Sequence, residues 1–200
     1  MTKTTRTRLG VPTRTAEDWE EAALDAIAAG GVASVSIPEL ARALEVTKGS
    51  FYWHFTGLDD LVDRATKRWD RLDKEALDQI RTIADPAVRL RTLFAQAMSA
   101  TRAQALYVAL AVSPSRSIGA ALRKVSSRRL KLLADSYREL GMTENDAQQQ
   151  ALLAYSAYIG GVHLRSNDTP WLRDAGDVGA YVEHATVALI EPARKQKARR

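Results

Sequence analysis

Apolar residues recur at three- and four-residue spacing almost throughout this 200-residue chain, and no stretch alternates apolar with polar residues long enough to make an amphipathic strand. An all-α fold follows. A first helix is predicted over Ala16 to Ala29, with Trp19, Ala22, Ala23, Ala26 and Ile27 on one face. Thr15 and Asp18 have capping-box spacing, and Gly30-Gly31 ends the helix. Ser36-Ile37-Pro38-Glu39 reads as a second capping box, opening a helix of about two turns that carries Ile37, Leu40, Ala41 and Leu44. After a turn at Glu45-Val46, Thr47 is placed to cap a third helix running to about Trp53.

A long helix fits Leu58 to about Ile80, with Leu61, Val62, Ala65, Trp69, Leu72 and Ala76 in phase. Asp85-Pro86 starts another, cap then proline, which runs to about Ala100. Ala103 to Val112 is apolar nearly all round and reads as a buried helix rather than a strand, because nothing nearby would pair with it. Further helices are expected from about Ile118 to Leu140, closing on Gly141, and from Thr143 and Asp146 to about Leu164. Arg165 to Gly176 reads as a loop, and a last helix spans about Asp177 to Ile190 before Pro192 stops it. About nine helices result, without an internal repeat.

The net charge of +5 suggests nucleic acid, but its placement matters. Lys3, Arg6, Arg8 and Arg14 lie in residues 1–14, and Arg194, Lys195, Lys197, Arg199 and Arg200 in residues 194–200, with no acid in either end. The remaining 20 bases face all 24 acids, so the body between is mildly acidic. The two ends read either as solvated tails or as arms attracted to phosphate, and charge alone does not establish DNA binding. With no cysteine, a disulfide framework and a thiolate zinc site are excluded, and a reducing cytoplasm is the default. Neither an export signal nor a membrane span is expected.

The segment Ser36 to Leu61 carries the functional signal. Leu40-Ala41, Val46, Ser50-Phe51-Tyr52, His54-Phe55 and Asp59-Asp60-Leu61 together resemble the signature of the TetR family over about 26 residues. The resemblance implies an N-terminal three-helix helix-turn-helix DNA-binding domain followed by a helical ligand-binding and dimerisation bundle. On that division residues 1–14 are a basic flexible arm, 15–57 the DNA-binding domain, 58–191 the bundle and 192–200 a basic flexible tail. The candidate DNA-facing set is Ser36, Ile37, Thr47, Lys48, Gly49, Ser50, Tyr52, Trp53 and His54.

A groove-entering helix needs short donors and acceptors at its N-terminal end, which Thr47, Lys48, Gly49 and Ser50 supply. Lys48 is placed to reach a guanine edge or a phosphate, and Gly49 lets the backbone approach closely. Tyr52 and His54 occupy positions that in the family donate to phosphates, while Phe51 and Phe55 read as core aromatics. Two departures stand out: Glu45 where the family commonly has Gly, and Leu58 where a Lys is usual before the acidic pair. The second removes a phosphate contact and shifts weight to the N-terminal arm, which can lie along a minor groove.

The same resemblance implies an internal pocket, and Trp69, Phe94, Met98, Tyr107, Tyr155 and Tyr158 are its candidate lining. Singly each reads as core packing; together they suggest an apolar cavity with a few hydroxyls, for an unknown small-molecule effector. His163 and His184 lack partners at ligand spacing, so no metal and no cofactor is expected. Small residues Ala154, Ser156, Ala157, Gly160 and Gly161, with the stripe Val178, Tyr181, Val182, Ala185 and Leu189, suggest a four-helix interface with a second copy; Gly160-Gly161 reads alternatively as a kink. No phosphate-cradling glycine loop, cysteine nucleophile or triad argues for an enzyme. The expected partners are therefore a palindromic operator, a second copy and an effector, with no membrane; the alternative is a helical small-molecule-binding or adaptor protein that reads no DNA.

Overall fold

In a computed structural model, residues 14–99, 101–166 and 178–197 are described, and among them all regular structure is helical. The elements are α1 (Ala16–Gly30), a 3-10 turn (Val32–Ser34), α2 (Ile37–Ala43), α3 (Lys48–Phe51), α4 (Leu58–Arg81), α5 (Pro86–Ser99), α6 (Thr101–Ala111), α7 (Arg116–Glu139), α8 (Glu144–Ser166) and α9 (Val178–Lys197). The all-α expectation and the helix order hold. The arm up to residue 13, the last three tail residues and the expected loop from residue 167 on lie outside the described residues, while Arg165 and Ser166, expected to open that loop, still belong to α8.

Local chemistry explains most of the boundaries. At α1 the capping box is complete: Asp18 N–H donates to Thr15 Oγ1 at 3.2 Å and Thr15 N–H donates to Asp18 Oδ2 at 2.7 Å. Hydrogen bonds from Thr15, the amide one foremost, hold the Asp18 carboxyl below its ordinary range. Asp85 Oδ1 accepts from the amides of Ala87 and Val88, at 2.7 and 3.0 Å, as a cap before Pro86 should. Gly141, at φ 101°, closes α7.

Four expectations fail, the first at Thr47, which precedes α3 but makes no side-chain capping bond. Ser36 makes no side-chain capping bond: Pro38 at the second helical position offers no amide, and the hydroxyl does not bond that of Glu39. The helix α3 ends at Phe51 rather than Trp53; the amides of His54 and Phe55 both return to the Phe51 carbonyl at 3.0 Å, winding Tyr52 to His54 into a tight turn. Pro192 does not stop α9, which continues to Lys197. A proline deletes one helical hydrogen bond and yet keeps helical φ, so here it interrupts the ladder without breaking the element.

Two buried clusters organise the packing. The first joins Trp19, Leu24, Ile27, Leu40, Phe51 and Phe55 of the N-terminal helices to Leu61 and Trp69 of α4, Leu106 and Leu110 of α6, and Ile118 and Val125 of α7. The second holds Leu77 and Ile80 of α4 with Leu90 and Phe94 of α5, Leu132, Leu133 and Tyr137 of α7, Ala147, Ala151 and Ala154 of α8, and Ile190 of α9. The α4 helix belongs to both. At about 25 cal/mol per Å² of apolar surface removed from water, side chains such as Trp19 and Phe51, both fully buried, each contribute several kcal/mol.

An acidic strip on α1 also ties the two halves together. Glu20 meets Arg64 at 3.2 Å, Glu21 meets Arg68 at 3.1 Å, and Arg102 of α6 bridges Glu21 and Asp25 at 2.7 and 2.6 Å. Among the described residues, no helix is long and apolar enough to cross a membrane.

Candidate nucleic-acid interface and ligand cavity

The α2–α3 turn depends on Glu45, which sits at φ 59°, a left-handed conformation that favours glycine. Its neighbour Val46 donates back to the Ala41 carbonyl at 2.9 Å and closes the turn. Phe51 then anchors α3 from beneath, edge-on to Trp19 at 5.3 Å and stacked on Phe55 at 5.2 Å. With that residue inward, Thr47, Lys48 and Gly49 are exposed, as are Tyr52 (63%) and Trp53 (82%).

The expected DNA-facing residues separate into two groups. Lys48, Tyr52 and Trp53 project into solvent. Ser36, Ile37 and Ser50 are half-buried, and the Ser50 hydroxyl donates to the Thr47 carbonyl at 2.7 Å, leaving its lone pairs as the outward offer. His54 is half-buried too, with Nε2 3.0 Å from the carbonyl oxygen of Arg14.

Arg14 is part of this architecture. Its Nε donates to the Leu44 carbonyl at 3.0 Å and so ties down the end of α2. Arg64 performs the matching task from α4: its Nη1 donates to the His54 carbonyl at 2.9 Å, its Nε meets Glu20, and its guanidinium lies 4.5 Å from the Phe55 ring centroid. The acidic residue Asp60 accepts from the Thr56 amide at 3.0 Å and fixes the loop that enters α4. Sequence spacing points to neither Arg64 nor Arg14 in this role, because their partners are carbonyls and carboxylates far away along the chain.

Where the two buried clusters meet, they leave a cavity of about 490 Å³, within the ~300–1,000 Å³ range usual for small-molecule sites. Of the candidate lining residues, Trp69, Phe94, Tyr155 and Tyr158 border it. Met98 instead borders a small adjoining pocket with Tyr181 and Leu189. Tyr107 stands one layer back, its hydroxyl accepting from Tyr155 at 3.3 Å. Leu72, Leu77, Ile80, Leu93 and Leu133 complete most of the apolar wall.

Its polar wall could not be read from spacing. Asp73, almost wholly buried, accepts from Arg129 Nε and Nη2 at 3.0 and 2.6 Å and from Arg128 Nη2 at 3.1 Å, while Arg128 also reaches Asp70 at 2.5 Å. Burial opposes the Arg129 charge, but Asp73 and then Tyr158 outweigh it and raise the guanidinium pKa above its ordinary value. Burial likewise pushes the Tyr155 phenol up.

On the far side, beyond the exposed Gln148 and Gln149, α8 turns an apolar stretch outward. Ala147, Ala151 and Ala154 pack inward, whereas Leu152 and Leu153, each 57% exposed, extend outward beside Ser156, Ala157 and Gly160. Thus only part of the expected small-residue surface is outward, since Ala154 and Gly161 are buried within the chain. On α9, Tyr181, Ala185 and Leu189 of the expected stripe border the small pocket, leaving Val187, Ala188 and His184 exposed. A helix must commit one face to its own bundle, and the more continuous apolar stripe took that role. Gly160-Gly161 makes no break: α8 runs unbroken from Glu144 to Ser166.

Comparison with known proteins gives this geometry a context. Residues 21–65 match the model of the bacterial regulatory proteins, tetR family. A transcriptional regulator from Rhodococcus sp. superposes with a TM-score of 0.73 at 23% identity, over 91% of this chain and 97% of that one. A TetR-family regulator from Agrobacterium tumefaciens gives 0.67 at 17% identity, covering 90% and 96%. A regulator from Saccharomonospora viridis, solved in complex with choline, gives 0.68 at 20% identity, covering 88% and 93%. At these identities the likeness of the whole chain is one of fold. Residues 21–65 thus resemble the N-terminal segment of the bacterial regulatory proteins of the tetR family, and the chain as a whole shares the fold of the solved regulators.

Proposed function

We propose that this chain is a repressor, working as a twofold dimer on a near-palindromic operator and released from it by a small, largely apolar effector. One observation carries the reading. The α4 helix is pinned to the exposed turn after α3 at its start, through Arg64 on the His54 carbonyl, and lines the cavity with Trp69, Asp73, Leu77 and Ile80 at its other end. A molecule that fills the cavity therefore acts on the helix that aims Lys48, Ser50, Tyr52 and Trp53.

In this reading residues 1–14 form the basic arm, 15–57 the reading head and 58–191 the sensor and dimer bundle. The exposed stripe Leu152, Leu153, Ala157 and Gly160, with Val187 of α9, supplies the twofold interface. The regulator solved with choline supports use of such a fold for small molecules. A cytoplasmic location follows from the role on DNA.

Release requires that the effector bind a wider-spaced pair of heads better than the DNA-competent pair, so DNA must weaken effector binding by the same factor. The test is fluorescence anisotropy with a labelled duplex from the region upstream of the chain's own gene. Binding by two chains per site, with a lone half-site binding poorly, is the expected result. Affinity no better than for a scrambled duplex overturns the reading and leaves a helical small-molecule-binding or adaptor protein.

A further inference from the structure

The proposed effector cavity contains a hydrogen-bond donor that the protein leaves without an acceptor. Arg129 spends Nε and Nη2 on the single oxygen Oδ1 of Asp73. Its Nη1 makes no hydrogen bond among the described residues, although the side chain is only 19% exposed and lines the cavity. Once the cavity fills and sheds its water, a donor so placed costs free energy unless the incoming molecule accepts from it. The guanidinium lies 5.8 Å from the Tyr158 ring centroid, and the cavity around it is otherwise formed mainly by Trp69, Leu72, Leu77 and Phe94.

The charges nearby are already balanced. Asp70 and Asp73 answer Arg128 and Arg129 one for one, and the remaining cation of the wall, Arg102, is held by Glu21 and Asp25. A carboxylate entering this site would arrive as an uncompensated buried anion. A quaternary ammonium fares no better, since both oxygens of Asp73 are committed to arginines. The Tyr155 hydroxyl is likewise engaged by Ser126 at 2.9 Å and Tyr107 at 3.3 Å. What the site lacks is one neutral acceptor.

We infer that the effector is an uncharged, mostly apolar molecule with a carbonyl-type oxygen that accepts from Arg129 Nη1, its hydrocarbon body lying along Trp69, Leu77 and Phe94. This inference rests on the cavity being the effector site. Four size-matched probes test it by calorimetry on the full-length protein without DNA: 2-acetylnaphthalene, 2-ethylnaphthalene, 2-naphthoate and (2-naphthylmethyl)trimethylammonium. The ketone should bind about tenfold or more tighter than each of the other three, the usual scale of one hydrogen bond to a charged donor.

In Arg129→Lys, whose single nitrogen is claimed by Asp73, the advantage of the ketone over 2-ethylnaphthalene should shrink to within about threefold, with helical content unchanged by circular dichroism. If that variant does not fold, the wild-type series decides alone. Equal affinity for ketone and hydrocarbon, tightest binding of the carboxylate or the ammonium, or no binding of any probe overturns the inference. Because the titrations contain no DNA, they stand apart from a failure to bind the operator.

Discussion

His54 Nε2 rests 3.0 Å from the carbonyl oxygen of Arg14, so the last turn of the reading motif is fastened to the residue at which the N-terminal arm begins. Substituting His54→Phe removes this bond while keeping an aromatic ring. Urea unfolding should show a loss of about 0.5–1.5 kcal/mol, and DNA affinity should fall on all sequences alike. A change in base preference would instead make His54 a reader.

Arg14, the last residue of the arm, is bonded to the folded head through the Leu44 carbonyl, which divides the arm's roles. Deleting residues 1–13 should leave thermal stability nearly unchanged and reduce the slope of log affinity against log salt, by roughly 0.9 for each phosphate the arm had neutralised. Arg14→Ala should lower stability instead. An unchanged slope after the deletion would show that the arm touches no phosphate.

Glu45 holds a left-handed backbone that a side chain disfavours by roughly 1 kcal/mol. Glu45→Gly should stabilise the protein by ~0.5–1 kcal/mol in denaturant titration, relief of strain exceeding the added chain entropy.

Lys48 and Tyr52 should behave differently on a randomised operator library. Lys48→Ala should cost ~1–3 kcal/mol at sites where the ammonium reads a base edge, and relax preference at one or two positions. Tyr52→Phe should weaken all sites nearly equally, because a phosphate carries no sequence information. If Lys48→Ala and Ser50→Ala change neither affinity nor preference, α3 is not the reader.

The capping box at α1 predicts a pH effect whose sign is fixed. Asp18 titrates below its ordinary 3.8 in the folded chain, so its contribution is present above that value and is lost as pH falls through the lower, folded one. The stability difference between wild type and Asp18→Asn should therefore shrink as the pH is lowered from neutrality to below 3.8. A difference that grows on acidification would contradict the assignment.

Much of this architecture was legible because helix ends carry local chemistry. Thr15 with Asp18, Asp85 with Pro86, and Gly141 each act within a few residues, and the structure uses all three. Local signals also misled, at Ser36 and Pro192, where the same residue types permit more than one outcome. The inward turn of Phe51 and the exposure of Lys48 were readable from spacing, whereas attention to Glu45 came from the resemblance, which sets glycine at that turn. Arg129 on Asp73, Arg64 on His54 and Arg14 on Leu44 were not, because such pairings arise only once the helices are stacked.

Arg64 holds the His54 carbonyl, the Glu20 carboxylate and the Phe55 ring at once, which makes the head and the first turns of α4 a single stiff piece. The 24 residues of α4 span about 36 Å, at 1.5 Å of rise each. A tilt of about 5° pivoting at the far end sweeps the near end through about 3 Å, close to the ~3.4 Å spacing of successive base pairs. An adjustment of well under an ångström beside Leu77 and Ile80, too small to disturb the bundle, can thus put Lys48 one step out of register on the duplex.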